Sequence, residues 1–407
     1  MTSTADNLRA EAGKCINCGF CEAVCPTLPS SGYDSSKGAR GRVMLGKELL
    51  SMLSLGEDIS ALSDPFFSCL DCYACAQVCP AGVNAGKVSH LAREILVEKG
   101  RGVPDLARLV ERSIMRYNSV LPLGRRAGRW AEGLSIPDSG DTLLYTGQMY
   151  QLMSYSSALN EFLGRRGDSS RRFIAGLALR LPWLMHGALL LNRRAMAREM
   201  DGHLRNIAAL LRSAGVNFFY LGGDEPYPGT LLHDMGFSSS MREYAVRVAG
   251  IFRSRGVRRV VTVDPHTHDM LCNVYPSIVD GFDIEVVHYT ELLGDLEFGN
   301  RGEKLAFHEP CHLARRFDDM SAPLALARKA ADISLPASCG RGTHCCGGPD
   351  ELLYPEIGRG VTAARTGQLD ETGAGTTLTA CPVCLVNLGR NGRVVDISDL
   401  LASSLGE

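Results

Sequence analysis

The sequence predicts a multidomain chain: a compact α-helical domain organised around cysteines at the N-terminus, then two α/β repeats, the first of them degenerate. Three observations predict it. Two cysteine runs of one spacing fall in the first eighty positions, Cys15-x2-Cys18-x2-Cys21-x3-Cys25-Pro26 and Cys69-x2-Cys72-x2-Cys75-x3-Cys79-Pro80. Short strings in the rest of the chain match one another in order. Five further cysteines collect in the second matched set, and the aligned positions of the first set hold none.

The cysteine runs have the spacing of a two-cluster ferredoxin, in which three thiolates of a run hold one cluster and the fourth ligates the other. Cys15, Cys18, Cys21 and Cys79 are expected to hold one 4Fe–4S cubane, and Cys69, Cys72, Cys75 and Cys25 the second. Two-residue gaps turn three sulfurs toward one cube, and Pro26 and Pro80 fix φ where the chain leaves. Structural zinc takes paired Cys or Cys with His at separated positions, which this pattern does not offer. Apolar periodicity predicts helices over 43–55 and 88–98, the latter stopped by Gly100. Residues 1–100 are thus read as a two-cluster 4Fe–4S ferredoxin-like domain. Residues 101–140, punctuated by Pro104, Pro122 and Pro137, read as a helical connector.

The repeat rests on ordered matches. EVVHYTELL (285–293) aligns with RVVDISDLL (393–401), and VVTVDPHTHDML (260–271) with TTLTACPVCLVNL (376–388). TLLYTGQMYQL (142–152) aligns with KLAFHEPCHLA (304–314), and FYLGGDEP with THCCGGPDE. Each set alternates β-branched strands with helices, which predicts small, mostly parallel sheets. The first repeat is assigned to 141–295, with a helical insertion, and the second to 296–407.

Bulk composition narrows the function. Over 407 residues the formal net charge is −2, with 45% hydrophobic and 22% charged residues, an ordinary globular balance that offers no basic surface for nucleic acid. Fifteen cysteines grouped in ligand-like clusters argue for a reducing compartment rather than a disulfide framework. The N-terminal residues lack the apolar core of a secretory signal, so the expected location is cytoplasmic, with attachment to the inner face of a membrane left open. The open point is Phe173 to Leu191, FIAGLALRLPWLMHGALLL, flanked by Arg171, Arg172, Arg193 and Arg194. A buried helix pair, docking of 171–194 on a membrane surface or membrane subunit, and a span interrupted by Arg180, Pro182 and His186 all fit this string.

Chemistry concentrates in the second repeat. Cys311, Cys345, Cys346, Cys381 and Cys384 all follow predicted strands, where α/β units assemble sites. Gly340, Gly342, Gly347 and Gly348 let the backbone approach a bulky inorganic group, and five convergent thiols suit a soft metal centre. In the first repeat the aligned positions carry Gln148, a stretch near Tyr220 and Leu221, Asp264 and Thr267. An intact first site is not expected, although Asp264, His266 and His268 are adequate ligands for a borderline metal. Cys272 reads as a small buried apolar residue and Cys339 as a loop thiol. Catalytic residues are not identified; His308, His312 and His344, flanking the thiols, are candidates for donating a proton to a leaving thiolate.

The CCGG run, Cys311-His312 and the terminal CPVC resemble the cysteine-rich CCG domain of heterodisulfide reductases. With the N-terminal runs, nearly the whole chain resembles the D-type polypeptide of heterodisulfide reductase. It is also similar to the iron–sulfur subunits of glycolate oxidase, lactate-oxidising and anaerobic glycerol-3-phosphate dehydrogenase systems. The resemblance implies a third, noncubane 4Fe–4S cluster held by Cys311, Cys345, Cys346, Cys381 and Cys384. It also implies an iron–sulfur subunit of an oxidoreductase complex. That component would relay electrons from a flavin dehydrogenase acting on a 2-hydroxyacid or similar substrate to a quinone, a cytochrome or a thiol/disulfide carrier. The alternative is a catalytic disulfide reductase working at the C-terminal cluster. No G-x-G-x-x-G run follows a strand, so flavin and nicotinamide are expected on a partner rather than on this chain.

Overall fold

A computed structural model describes residues 3–300 and 302–406. Residues 3–100 form helices and turns without a strand. Ser3 caps the first helix, Thr4–Gly13, by accepting from the Asp6 amide at 3.1 Å. The helix expected at 43–55 runs over Ala39–Leu55 and stops at Gly56, whose φ of 73° suits glycine. The one expected at 88–98 starts earlier, at Ala85, because Asn84 accepts from the Lys87 amide. Leu8, Val43, Leu49, Val88, Ala92 and Leu96 are buried where the three helices meet. Each buried Leu or Val among them contributes roughly 1.5–3 kcal/mol. Gly46 lets two of them close up, since a Cβ there would stand 2.8 Å from Val88 Cγ1.

Residues 101–140 contain the helix Asp105–Tyr117 and a run of 3-10 turns over Gly124–Ala131 that buries Trp130. Short strands then form two parallel sheets. Strands β1 (Thr142–Tyr145), β2 (Arg259–Thr262) and β3 (Glu285–His288) pair in the order β1-β2-β3, and Phe219 bridges in parallel to Leu143 at the free edge of β1. Strands β4 (Lys304–His308), β5 (Asp332–Ser334), β6 (Thr377–Thr379) and β7 (Val394–Asp396) pair in the order β5-β4-β6-β7. The matched sequence strings overlap β1 and β4, β2 and β6, β3 and β7. In register, Tyr145 stands beside Thr262 and Thr262 beside His288; likewise His308 stands beside Thr379 and Thr379 beside Asp396. Strand ends are therefore level in both sheets, and the loops that follow share one edge.

The insertion after β1 comprises the helices Met149–Gly164 and Asp168–Arg180, a turn of short helices to Leu191, and the helix Arg194–Ser213. Among the described residues no single helix is long and apolar enough to cross a membrane. Ser169–Arg180 and Pro182–Leu191 satisfy length and composition only together, and a bend of 114° separates them. Nor are they a buried pair: Phe173, Trp183 and Leu190 are 71%, 65% and 87% exposed.

Candidate metal centres

Each N-terminal run coils its cysteines inward through the same two backbone positions. Asn17 and Gly19 in the first run, and Asp71 and Tyr73 in the second, all have positive φ (61°, 87°, 47° and 57°). Alternation of left- and right-handed residues turns successive N–H groups to one side, the geometry of an anion-binding nest. The Asn17 amide points at Cys15 Sγ (3.4 Å) and the Val83 amide at Cys79 Sγ (3.2 Å).

Two cavities sort the eight thiols. One is lined by Cys15, Cys18, Cys21 and Cys79, the other by Cys25, Cys69, Cys72 and Cys75. The first lies near the surface, with Cys18 exposed and Ile16 and Phe20 67% and 61% exposed beside it. In the second, Cys25, Cys72 and Cys75 are buried and Cys69 is half-buried. Burial pushes Cys21 up to about 11 and Cys72 up to about 12. Thiolates there require cationic compensation, which a bound metal centre supplies.

Buried arginines surround the second group. Arg42 donates to Pro65 O (2.6 Å), Thr27 Oγ1 (2.9 Å) and Ser68 O (2.9 Å), and its Nη1 lies 3.8 Å from Cys25 Sγ. Arg93 pairs with Asp71 at 2.5 Å and donates to Cys69 O at 2.7 Å. In the sequence Arg42 stands out only as the end of a GARGR run, and Arg93 not at all. The usable signal is an arginine on an otherwise apolar helix face, as in Leu91-Ala92-Arg93-Glu94-Ile95-Leu96.

The remaining five candidate thiols stand at the carboxyl edge of the second sheet. Cys311 begins the helix after β4, and Cys381 precedes the helix after β6 that carries Cys384. Cys345 and Cys346 lie in the loop leading from β5, where Gly347 takes φ 84° and aims its N–H at Cys345 Sγ (3.5 Å). All five are buried, from 0% exposed for Cys381 to 6% for Cys311. Cys384 Sγ is 3.2 Å from Cys346 Sγ, and Cys345 is hydrogen-bonded to both Cys311 and Cys346. Hydrogen bonds from Cys345 and Cys384 hold Cys346 below the usual thiol range, while burial pushes Cys384 well above it. Among Cys311, Cys345, Cys346 and Cys384, only Cys346 is shifted toward the thiolate. Soft, enclosed, closely spaced sulfur donors fit an iron–sulfur centre that would deprotonate the rest.

Three histidines flank this group. His308, at the end of β4, has a ligand atom within 4.8 Å of those of Cys346 and Cys384. Arg365 Nε donates to His308 Nδ1 (3.0 Å), which leaves the ring proton on Nε2. Burial pushes His308 well below its ordinary value. His312 is held through Nδ1 by Asp269 at 2.8 Å, a carboxylate from the first α/β unit, and His344 Nδ1 sits 3.0 Å from Cys345 O.

The corresponding edge of the first sheet is filled by a polar network. Glu225 accepts from the Thr146 amide (2.7 Å) and the Thr146 hydroxyl, while Gln148 donates to Glu225 O and receives a 2.5 Å bond from Ser119. Asp264 spends one oxygen on the His266 and Thr267 amides (2.9 and 3.0 Å), and His268 Nδ1 engages Thr262. Among the described residues the three-ligand grouping is His308, Cys346 and Cys384; Asp264, His266 and His268 form none. Cys272 is half-buried, 3.7 Å from His268 Nε2, rather than enclosed in apolar packing. Cys339 is also half-buried, at the start of the Gly340–Gly342 turn.

The second N-terminal thiol group and the C-terminal group adjoin. Cys72, Cys311 and Cys345 pack in one buried cluster with Leu70, Ile357 and Val361. Arg315, four residues after Cys311, joins the two sides by donating to Cys72 O (2.5 Å), Arg341 O (2.9 Å) and Thr343 O.

Comparison with known proteins agrees with this geometry. Residues 11–83 match the 4Fe-4S dicluster domain, and residues 305–389 match the cysteine-rich domain named CCG. The chain is 29% identical over 205 residues to the probable iron-sulfur-binding oxidoreductase FadF of Bacillus subtilis, covering 48% of this chain and 29% of that protein. It is 22% identical over 437 residues to the D-type polypeptide of the dihydromethanophenazine:CoB–CoM heterodisulfide reductase of Methanosarcina barkeri, covering 97% and 94% of the two chains. To the probable glycolate oxidase iron-sulfur subunit of Bacillus subtilis it is 40% identical over 84 residues, 20% of this chain and 18% of that one. The chain thus spans less than a third of the FadF protein and nearly all of the reductase polypeptide. These matches make it an iron–sulfur protein of electron-transferring oxidoreductase systems. It joins a 4Fe–4S dicluster sequence to CCG cysteine-rich sequence, and in this it is similar to the D-type heterodisulfide reductase polypeptide over nearly its whole length and to a glycolate oxidase iron–sulfur subunit over a fifth of it.

Proposed function

We propose that the chain is the electron-relaying component of an oxidoreductase complex, accepting electrons from a flavin dehydrogenase of a 2-hydroxyacid or similar substrate. It passes them to a quinone, a cytochrome or a thiol/disulfide carrier. The assigned ligands are Cys15, Cys18, Cys21 and Cys79 for one cubane, and Cys69, Cys72, Cys75 and Cys25 for the other. Cys311, Cys345, Cys346, Cys381 and Cys384 are assigned to the third, noncubane centre. When bound, such clusters supply one-electron redox chemistry over a wide range of potentials. The proposed organisation is a ferredoxin-like domain (1–100), a connector (101–140), a first CCG-type repeat that has lost its site (141–295) and a second that keeps it (296–407). Fifteen unpaired cysteines suit a reducing, cytoplasmic setting.

One observation carries the relay reading: burial increases in one direction. Cys18 is exposed, three of the four thiols of the second group are buried, and the C-terminal five are at most 6% exposed, with Cys72 packed against Cys311 and Cys345. A partner therefore meets the chain at Cys18, Ile16 and Phe20. The catalytic alternative needs a substrate disulfide to reach sulfurs that the folded chain encloses. His308, within reach of Cys346 and Cys384, is the residue that reading would use to protonate a thiolate.

Iron and acid-labile sulfide measured on the anaerobically purified protein test the ligand sets. Near twelve of each per chain is expected, falling to near eight in Cys346→Ala and Cys381→Ala. Turnover tests the role. Reduction of an acceptor only when a flavoprotein donor is present supports the relay, whereas disulfide reduction by the isolated chain with a low-potential donor overturns it.

A further inference from the structure

We infer that the bent helix pair Asp168–Leu191 is a monotopic foot that seats this protein on an anionic lipid bilayer, dipping apolar side chains into the interface without crossing it. Exposure marks the place. Twelve large hydrophobic residues are exposed among the described residues, and six of them lie within one stretch: Phe162, Phe173, Leu177, Leu181, Trp183 and Leu190. Phe173, Leu177 and Leu181 recur every fourth residue, a stripe along one helical face. The other face carries small residues, Ala175 and Ala178, which are buried where this helix packs on the helix Asp105–Tyr117. Arg112 fixes that contact by donating to Leu179 O at 2.9 Å, and Tyr117 meets the His186 ring edge-on at 5.6 Å. The foot is thus held from behind and bare in front.

Charge selects the occupant. Residues 161–200 contain eight arginines (165, 166, 171, 172, 180, 193, 194 and 198) and no lysine, against Glu161, Asp168 and Glu199. Glu161 pairs with both Arg165 and Arg193. Arg172, Arg180 and Arg194 are exposed beside the apolar face. An apolar face rimmed by arginine is the chemistry that anionic headgroups recognise. A span is excluded by dimension: as a helix Ser169–Arg180 is about 18 Å long, against about 30 Å of hydrocarbon, and the 114° bend turns the next segment aside.

The test uses the full, cluster-loaded chain with vesicles of phosphatidylcholine alone or mixed with phosphatidylglycerol. Of the two tryptophans Trp130 is buried, so Trp183 reports the foot. Expected results are cosedimentation with the anionic vesicles, weakened by high salt, and a blue shift of Trp183 emission. Each of Arg172→Gln, Arg180→Gln and Arg194→Gln should lower partitioning about fivefold. The triple variant Phe173→Ser/Trp183→Ser/Leu190→Ser should abolish it while circular dichroism and iron content stay as in the parent. The inference is overturned by failure of the parent to bind anionic vesicles, by undiminished binding by the triple variant, or by capture by a membrane protein in place of lipid. Retention after alkaline carbonate washing also overturns it, in favour of a span. Iron content and flavoprotein-dependent turnover are read separately, so none of these outcomes bears on the relay.

Discussion

Replacing Arg42 by Gln should lower the midpoint potential of the centre assigned to Cys25, Cys69, Cys72 and Cys75. Arg42 is 2% exposed, and its charge acts on the buried Asp350 carboxyl and on the Cys69 thiol, which it favours as thiolate. Arg93, by contrast, is neutralised locally by Asp71. Arg42 Nη1 stands 3.8 Å from Cys25 Sγ. An electron added to the centre spreads over several atoms, so an effective separation of about 6 Å at a dielectric of about 20 gives about 2.8 kcal/mol. For one electron that corresponds to about 120 mV. The sign follows from charge: removing a cation destabilises the reduced state, so the potential falls. Potentiometric titration followed by electron paramagnetic resonance reads it, with the Cys15/Cys18/Cys21/Cys79 centre as internal control. Arg42→Lys keeps the charge but loses the planar fork and should shift the potential by far less. An unchanged potential in Arg42→Gln, or equal shifts in the Gln and Lys variants, would refute the electrostatic argument.

Two further perturbations probe other parts of the chain. Gly347→Ala forces a side chain into a left-handed position, and its Cβ would stand 2.4 Å from Gly358 O and 2.8 Å from Thr362 Oγ1. Strain of about 1–2 kcal/mol plus the clash should displace Cys345 and Cys346, dropping iron from about twelve to about eight per chain with the N-terminal signals intact. Glu225 is held protonated by burial, its pKa pushed up to about 8 from 4.5. Between those values the folded state binds more protons than the unfolded one, so this group makes stability fall as pH rises from about 4.5 to 8. Glu225→Gln should flatten that slope, recovering on the order of a few kcal/mol at pH 8; denaturant unfolding at pH 5 and pH 8 measures it.

The cysteine runs carry their geometry within a dozen residues each, which is why the N-terminal sites were legible in the chain. Ligand spacing, the trailing proline and, in the first run, the asparagine and glycine that accept positive φ are local facts, whereas Asp71 and Tyr73 take positive φ in the second run without that signal. The C-terminal thiols were legible too, because each follows a strand and parallel strands present their carboxyl ends together. Arg315 was not: nothing near it in sequence signals that its guanidinium reaches the carbonyl of Cys72, 243 positions away. Asp269 on His312 and Arg365 on His308 were hidden for the same reason. The string 173–191 admits three alternatives because hydropathy is blind to a 114° turn and to which face an alanine pair buries.

By itself the amino-acid order determined the candidate chemistry: which cysteines are offered as ligands, in what groups, and that the aligned positions of the first α/β unit hold none. Tertiary structure alone decided adjacency and access, namely that Cys72 meets Cys311 and Cys345, that Cys18 faces outward while the C-terminal sulfurs are enclosed, and that Phe173 and Trp183 are bare. The physical reason is range. Ligand spacing is set by backbone dihedrals over a few residues, whereas burial and long-distance hydrogen bonds exist only once separate segments pack.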